Sequence, residues 1–283
     1  MILFTCLVFT PESQAEEIVP SADSNIQTMV YEVYAGGIHA VQATLTMDLS
    51  KKAHYDLDLA AKTRGFLGKM APWHGTFESH GWVMDDGSYK PKLHRSTATW
   101  KDEEEIKSYN YGQDGSFKSL MIKDHDKPEE KKTVEDELTQ GTTDALTATL
   151  TVLQMVGQGQ ACESESEVFD GKRRFKQTFK SSGEADLIAN SYNIFTGKTQ
   201  KCTVEITPVA GKWHKKPRGW LSIQEQGRDK GTMPTVWMGT LKEGSPAVPV
   251  KIMVKTQFGA LMMHLAEYQS GEKVLVAEKR EKD

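Results

Sequence analysis

Apolar and polar residues alternate along most of this chain, in short runs separated by glycine turns. That period of two restricts the fold more than any other feature. Val41, Ala43, Leu45 and Met47 fall on one face of an extended segment, and Gln42, Thr44, Thr46 and Asp48 on the other. Tyr55, Leu57, Leu59 and Ala61 repeat the pattern against His54, Asp56, Asp58 and Ala60. Gly36-Gly37 supplies the positive φ of a tight turn, so Thr28–Ala35 and Ile38–Met47 read as a hairpin. Further strands are expected at Trp73–Val83, Lys92–Trp100, Glu104–Tyr111 and Ser116–Ile122, although Thr99–Tyr111 also reads as a concealed second helix. Glu165–Phe169, the turn Asp170-Gly171 and Arg173–Ser181 form a second hairpin. Ala185–Phe195, Lys201–Pro208, Trp220–Gln226, Thr235–Leu241, Val248–Thr256 and Leu261–Tyr268 follow, giving about fourteen strands.

One segment breaks the pattern. Thr142-Thr143-Asp144 offers N-cap residues, and Leu146, Leu150, Leu153 and Val156 then recur at three- and four-residue steps until Gly157 and Gly159. A lone amphipathic helix in a β chain packs its stripe against a sheet or plugs a barrel. The fold class is therefore mainly β: one large curved antiparallel sheet, an open barrel or β-spiral, with one helix on its concave face. Lys123–Glu137 is charged and reads as an exposed loop. Strands continue on both sides of it, so residues 26–270 form one β-rich domain. Residues 16–25 are a polar N-terminal arm, and residues 271–283 a charged tail expected to fray.

The first fifteen residues read as a signal peptide. Ile2–Phe9 is an apolar run, and Ser13-Gln14-Ala15 matches a small-x-small cleavage site. The basic n-region is missing, which points to a truncated leader; the alternative is a short buried strand or helix. Leu3-Phe4-Thr5 lacks the small residue that a lipidated Cys6 needs. Cleavage removes Cys6 and leaves Cys162 and Cys202. An even count in an exported chain predicts a disulfide; two unpaired buried thiols are the alternative.

With 35 Lys+Arg against 39 Asp+Glu, the formal charge is −4, which gives no electrostatic footprint for nucleic acid. No apolar run reaches the ~18 residues of a membrane span. The chain has no GxSxG elbow, HExxH, Walker loop or strand-led GxGxxG, and no CxxC pair for zinc. No cofactor and no catalytic residue is expected.

Phe169-Asp170-Gly171-Lys172-Arg173-Arg174-Phe175 follows Cys162 closely. Then come Thr196-Gly197, Cys202-Thr203-Val204-Glu205-Ile206-Thr207-Pro208-Val209-Ala210-Gly211, Val248-Pro249-Val250-Lys251-Ile252 and Phe258-Gly259-Ala260-Leu261. In that order these segments resemble the alphaproteobacterial members of an exported family, domain of unknown function 3108, over Val30 to Tyr268. Thr143-Asp144-Ala145-Leu146 is similar to that family's Asp-Pro-Leu helix start, with Ala145 in place of the proline. The resemblance implies an exported envelope protein with a curved sheet or open barrel, and no particular activity. At the level of architecture, the chain more distantly resembles exported β-spiral proteins and half-barrel lipoprotein carriers.

Four groups of residues are candidates for function. His74, Glu78 and His80 share one strand face and are acceptable metal ligands, but the histidines sit ~20 Å apart on an extended strand. A wet polar face is the plainer reading, and no metal is expected. Asp170, Arg173 and Arg174 could contact an anion or a partner; the plainer reading is a hairpin whose arginines pair with nearby carboxylates. Leu57, Leu146, Leu150 and Leu153 would line an apolar groove between helix and sheet. Met155, Met238, Met253, Met262 and Met263 suit either such a surface or ordinary core filling.

The function expected is a non-enzymatic, monomeric periplasmic protein of the cell envelope. It would bind a lipid, a glycan or an envelope protein in a β-sheet groove. The alternative is a periplasmic hydrolase of cell-wall or glycan material, which would need paired carboxylates or a His–carboxylate pair in a concave site.

Overall fold

The computed structural model describes residues 25–216, 220–256 and 259–280. The segment read as a signal peptide, all but the last residue of the N-terminal arm, Cys6, Phe258 and the final three residues lie outside the described residues. Fifteen strands are seen: Ile26–Ala35 (β1), Ile38–Asp48 (β2), His54–Thr63 (β3), Trp73–Val83 (β4), Tyr89–Trp100 (β5), Glu103–Tyr111 (β6), Phe117–Asp124 (β7), Glu130–Lys132 (β8), Ser164–Phe169 (β9), Arg173–Leu187 (β10), Gly197–Gly211 (β11), Thr235–Gly239 (β12), Val248–Thr256 (β13), Gly259–Ser270 (β14) and Lys273–Val276 (β15). The helices are Gly65–Met70 (α1), Asp136–Thr139 (α2), Ala145–Gly157 (α3) and Trp220–Asp229 (α4).

All strands belong to one antiparallel sheet, ordered β8-β7-β6-β5-β4-β3-β2-β1-β14-β13-β12-β11-β10-β9, with β15 paired to β14. The sheet curls but does not close. Its β9 flank meets the inner side of β6 and β7 through side chains: Phe117 and Phe169 stack edge-on at 5.5 Å, and the Tyr109 hydroxyl donates to the Asp170 carbonyl at 2.8 Å. Backbone from the start of α3 covers β9, where Thr143 N–H donates to the Glu167 carbonyl and Phe169 N–H to the Thr143 carbonyl. That pairing protects an edge that would otherwise expose unpaired backbone groups.

Successive antiparallel turns alternate between the two ends of the barrel. At one end α3 runs out against the β12–β13 connection, where Ala247 N–H donates to the Leu153 carbonyl. A Cβ on Gly157 would lie 2.5 Å from the Ser245 carbonyl oxygen. Met29, Met47, Tyr55, Leu57, Leu150, Leu153 and Leu265 form the buried core around the helix. Because the barrel surrounds α3, Ala148 and Val152 are buried as well as the expected leucine stripe.

The opposite end carries α1, the β1–β2 and β5–β6 turns, the Asp170–Lys172 turn and the segment leading to α4. Trp220–Gln226, expected as a strand, is helical and belongs to α4. The short β12 ends its pairing with β11 at Thr203. Beyond it, the Gln224 amide takes the place of a strand backbone: the Ile206 N–H donates to its Oε1 at 2.7 Å, and its Nε2 donates to the Ile206 carbonyl at 3.1 Å. Arg173–Ser181 and the start of Ala185–Phe195 are one bulged strand, and Asn190–Asn193 forms a tight turn. Thr99–Tyr111 is extended throughout apart from the turn at Lys101-Asp102. The tail expected to fray contributes β15, and the Ala277 N–H donates to the Ala266 carbonyl.

Candidate functional site

The concave face is only partly filled. A groove of about 380 Å³ lies toward the open end. Leu59 of β3, Phe77 of β4, Ala98 of β5 and Tyr109 of β6 form one wall, with Leu146 of α3 and Phe169 of β9 opposite. A second hollow of about 500 Å³ lies beside it, walled by Phe175, Val204, Ile206, Trp213 and Leu221. Ala145, Asp170 and Phe175 line both, so the two form one trough around the first residue of α3. Both volumes fall in the ~300–1,000 Å³ range of small-molecule sites, and a mainly apolar lining is typical of them.

Next to the trough lies a buried polar knot, of which His94 reaches the lining. Asp144 caps α3: its Oδ1 accepts from the backbone N–H groups of Leu146 and Thr147, each at 3.0 Å. Its Oδ2 accepts from Thr147 Oγ1 at 2.6 Å and from Ser79 Oγ at 3.0 Å. Since Thr147 gives its proton to Asp144, the Tyr55 hydroxyl, 2.6 Å away, donates to Thr147. Burial, reinforced by the Asp144 carboxylate, raises the Tyr55 phenol far above its usual range. His94, the cross-strand neighbour of Ser79, places Nδ1 3.6 Å from Asp144 Oδ1 and lines the groove. Helix start and barrel wall are thus tied together through one carboxylate.

The candidates read from the sequence are placed differently from one another. Leu146 lines the groove, but Leu57, Leu150 and Leu153 do not. They are buried in the core, because the helix seats fully inside the barrel and seals the region where a groove was expected. Asp170, Arg173 and Arg174 sit at the open end. Asp170 Oδ1 accepts from the N–H of Arg173 and Oδ2 from its Nε at 2.7 Å, while Arg174 pairs with Glu167 and donates to the Glu137 carbonyl. The guanidinium of Arg173 also lies 4.7 Å over the Trp213 ring. Both arginines are therefore engaged locally, and Asp170 and Arg173 still border the trough.

His74, Glu78 and His80 lie on the outer face of β4 and do not converge. His80 Nδ1 binds Asp56 Oδ1 at 2.7 Å instead, and among the described residues no group of three potential ligands is close enough to hold a metal. Cys162 and Cys202 form a disulfide with Cα atoms 6.3 Å apart, joining the exit of α3 to β11.

Reading the sequence missed Ser79, His94, Thr147 and Trp213. Ser79 carried a signal, since it is a polar residue on the same strand face as Trp73 and Phe77. A hydroxyl on an apolar face demands a partner.

The family model described as protein of unknown function (DUF3108) matches residues 30–266. The chain belongs to this family. The DUF3108 match takes in Asp144, the trough and the disulfide. No curated protein matches the chain. Among solved structures it is similar to a beta-barrel-like protein of domain of unknown function DUF1849 from Brucella abortus. That similarity has a TM-score of 0.47 and 10% identity, and covers 86% of this chain and 96% of the other. Among the described residues, no helix is long and apolar enough to cross a membrane.

Proposed function

We propose that this DUF3108 protein is an exported, non-enzymatic component of the cell envelope that holds the acyl chain of a lipid in the trough at the open end of its barrel. The observation that carries the reading is the lining. Leu59, Phe77, Ala98, Leu146 and Phe169 present an apolar channel continuous with Phe175 and Ile206, whereas the hollow of about 330 Å³ at the other end is lined largely by polar residues such as Lys90, Asp114, Ser116, Thr147 and Thr151. The charged groups at its border, Glu105 with Lys107 and Asp170 with Arg173, are paired with one another, so the mainly apolar lining favours an acyl chain over a glycan, which would need many convergent hydrogen-bonding groups. The small-x-small site after the N-terminal apolar run and the paired cysteines support export.

A hydrolase reading at the trough would draw on the His–carboxylate pair His94 and Asp144, since His39–Glu32 and His80–Asp56 do not line it. Asp144 is buried and already accepts from two backbone N–H groups and two hydroxyls, which is the work of a helix cap and a clasp. Ser79, the hydroxyl next to the pair, is buried too. The binding reading is therefore preferred.

The test is to isolate the protein from the periplasm, extract it with organic solvent and analyse the extract by mass spectrometry. A bound acyl lipid is the expected result. Ala98→Trp, which fills the groove from a half-buried position, should abolish its recovery without lowering stability. Wild-type protein that carries no lipid and fails to take up a fluorescent fatty acid would overturn the reading. Recovery of a glycan would redirect it.

A further inference from the structure

We infer that the open end of the barrel is a docking surface for an anionic lipid bilayer. The observation is a cluster of large apolar side chains left in solvent at one end of the molecule. Phe66 and Met70 of α1 are each 68% exposed, and Leu67 beside them is exposed too. The β1–β2 and β5–β6 turns lie at the same end and add Ile38, 63% exposed, and Trp100, 50% exposed. Strand register fixes this placement: α1 links β3 to β4, Trp73 pairs with Trp100 across β4 and β5, and Gly65 approaches the His39 carbonyl next to Ile38. Exposed apolar residues scattered singly need no explanation, but a cluster does.

Three features favour a bilayer over a protein partner. The apolar side chains sit on a short helix and on turn tips, so they protrude as a wedge rather than forming a flat face. A tryptophan stands at the edge of the cluster, where an amphipathic ring suits the headgroup level. Across the mouth, Lys212, His214, Lys215 and Lys216 are exposed in a run without an acidic residue, in a chain whose net charge is −4, and Lys69 and Lys101 flank the wedge itself. Lysines near an anionic leaflet add attraction to apolar insertion. Asp102 and Glu103 at the β5–β6 turn, and Asp124, Asp126, Glu129 and Glu130 at the neighbouring β7–β8 turn, oppose part of that attraction, with Lys123 and Lys127 offsetting some of it, so the apolar residues carry most of the binding and the lysines set the lipid preference.

The surface is continuous with the trough. Phe77 and Ala98 point to the same side of the sheet as Trp73 and Trp100, so docking this end would bring the apolar channel to the membrane. The inference goes beyond the lipid-holding reading and is tested separately from it.

The experiment is co-sedimentation of the full mature chain with vesicles of phosphatidylcholine alone and of phosphatidylcholine with phosphatidylglycerol. Wild type should bind the anionic vesicles more tightly, with affinity falling as salt is raised. The double variant Phe66→Ser/Met70→Ser should lose about ten-fold or more of that affinity. Both positions are solvent-exposed, so its circular dichroism and melting curve should match wild type. Lys212→Glu/Lys215→Glu/Lys216→Glu should remove the preference for phosphatidylglycerol. Lipid recovery by mass spectrometry should persist in Phe66→Ser/Met70→Ser and fail in Ala98→Trp, while Ala98→Trp still binds vesicles; the two readings thus fail independently. Absence of wild-type binding, or binding unchanged in Phe66→Ser/Met70→Ser, overturns the inference. Self-association in solution that this variant abolishes, without vesicle binding, overturns it in favour of a second copy of the chain.

Discussion

Ser79 and Asp144 stand 65 residues apart in sequence, and the serine hydroxyl donates to Oδ2 of the aspartate at 3.0 Å. This contact fixes the start of α3 against the middle of β4. The same carboxylate caps the helix, so one side chain does two jobs: it satisfies backbone donors that a helix start leaves open, and it sets where the helix enters the barrel.

Asp144→Ala should destabilise the protein by about 2–4 kcal/mol, combining a lost cap with buried hydroxyls left without their acceptor. Asp144→Asn keeps an acceptor oxygen and should cost less. Urea unfolding of both variants checks this. Equal losses, or none, would show that the carboxylate does not hold the helix.

The Cys162–Cys202 bridge ties the exit of α3 to β11 as Asp144 ties its entry. Cys202→Ser should cost about 2–5 kcal/mol. Thiol titration of the denatured chain from residue 16 onward, which lacks Cys6, should find no free thiol. Two titratable thiols would contradict the bridge.

Gly81 allows close approach of strand and ring. A Cβ there would meet the Lys90 carbonyl oxygen at 2.2 Å and the Tyr55 ring at 2.6 Å. Gly81→Ala should therefore cost about 1–3 kcal/mol by forcing β5 or Tyr55 to shift. Gly87→Ala is no control, since its φ is +80°. Ser88→Ala, on the same turn, serves better, and thermal melts of the two variants would separate crowding from turn effects.

His264 is half-buried on β14, opposite Glu32 on β1 and Lys251 on β13, with the rings of Tyr34 and Tyr192 against it. Burial first, and then the Lys251 charge, lower its pKa below the usual histidine value. The folded state thus prefers neutral His264. Its contribution is intact above the unfolded pKa of about 6.5 and is lost as pH falls below that through the folded value. His264→Phe should flatten the loss of stability on acidification from neutral pH, as read from melting temperatures across that range. An unchanged slope would assign the acid sensitivity to other groups.

Much of this architecture was legible before any coordinates. Alternation in Val41–Met47 and Tyr55–Ala61 marked strands, because a half-buried sheet writes its two faces into neighbouring residues. The leucine spacing after Asp144 marked α3 for the same kind of local reason. Trp220–Gln226 misled, because its pattern fits either period and the choice was made by Gln224 replacing a missing strand beside Ile206.

The sequence alone determined what neighbours in the chain decide: a β-rich chain, its turns, a capped helix and the cysteines available to pair. Tertiary structure alone decided how deep the helix sits. That depth buried Leu57, Leu150 and Leu153, left Leu146 at an open trough, and brought Ser79, His94, Tyr55 and Thr147 to one aspartate. The physical reason is range. Periodicity reports which face of an element is apolar, but whether two such faces meet or leave a channel between them depends on the curvature of a whole fifteen-stranded sheet.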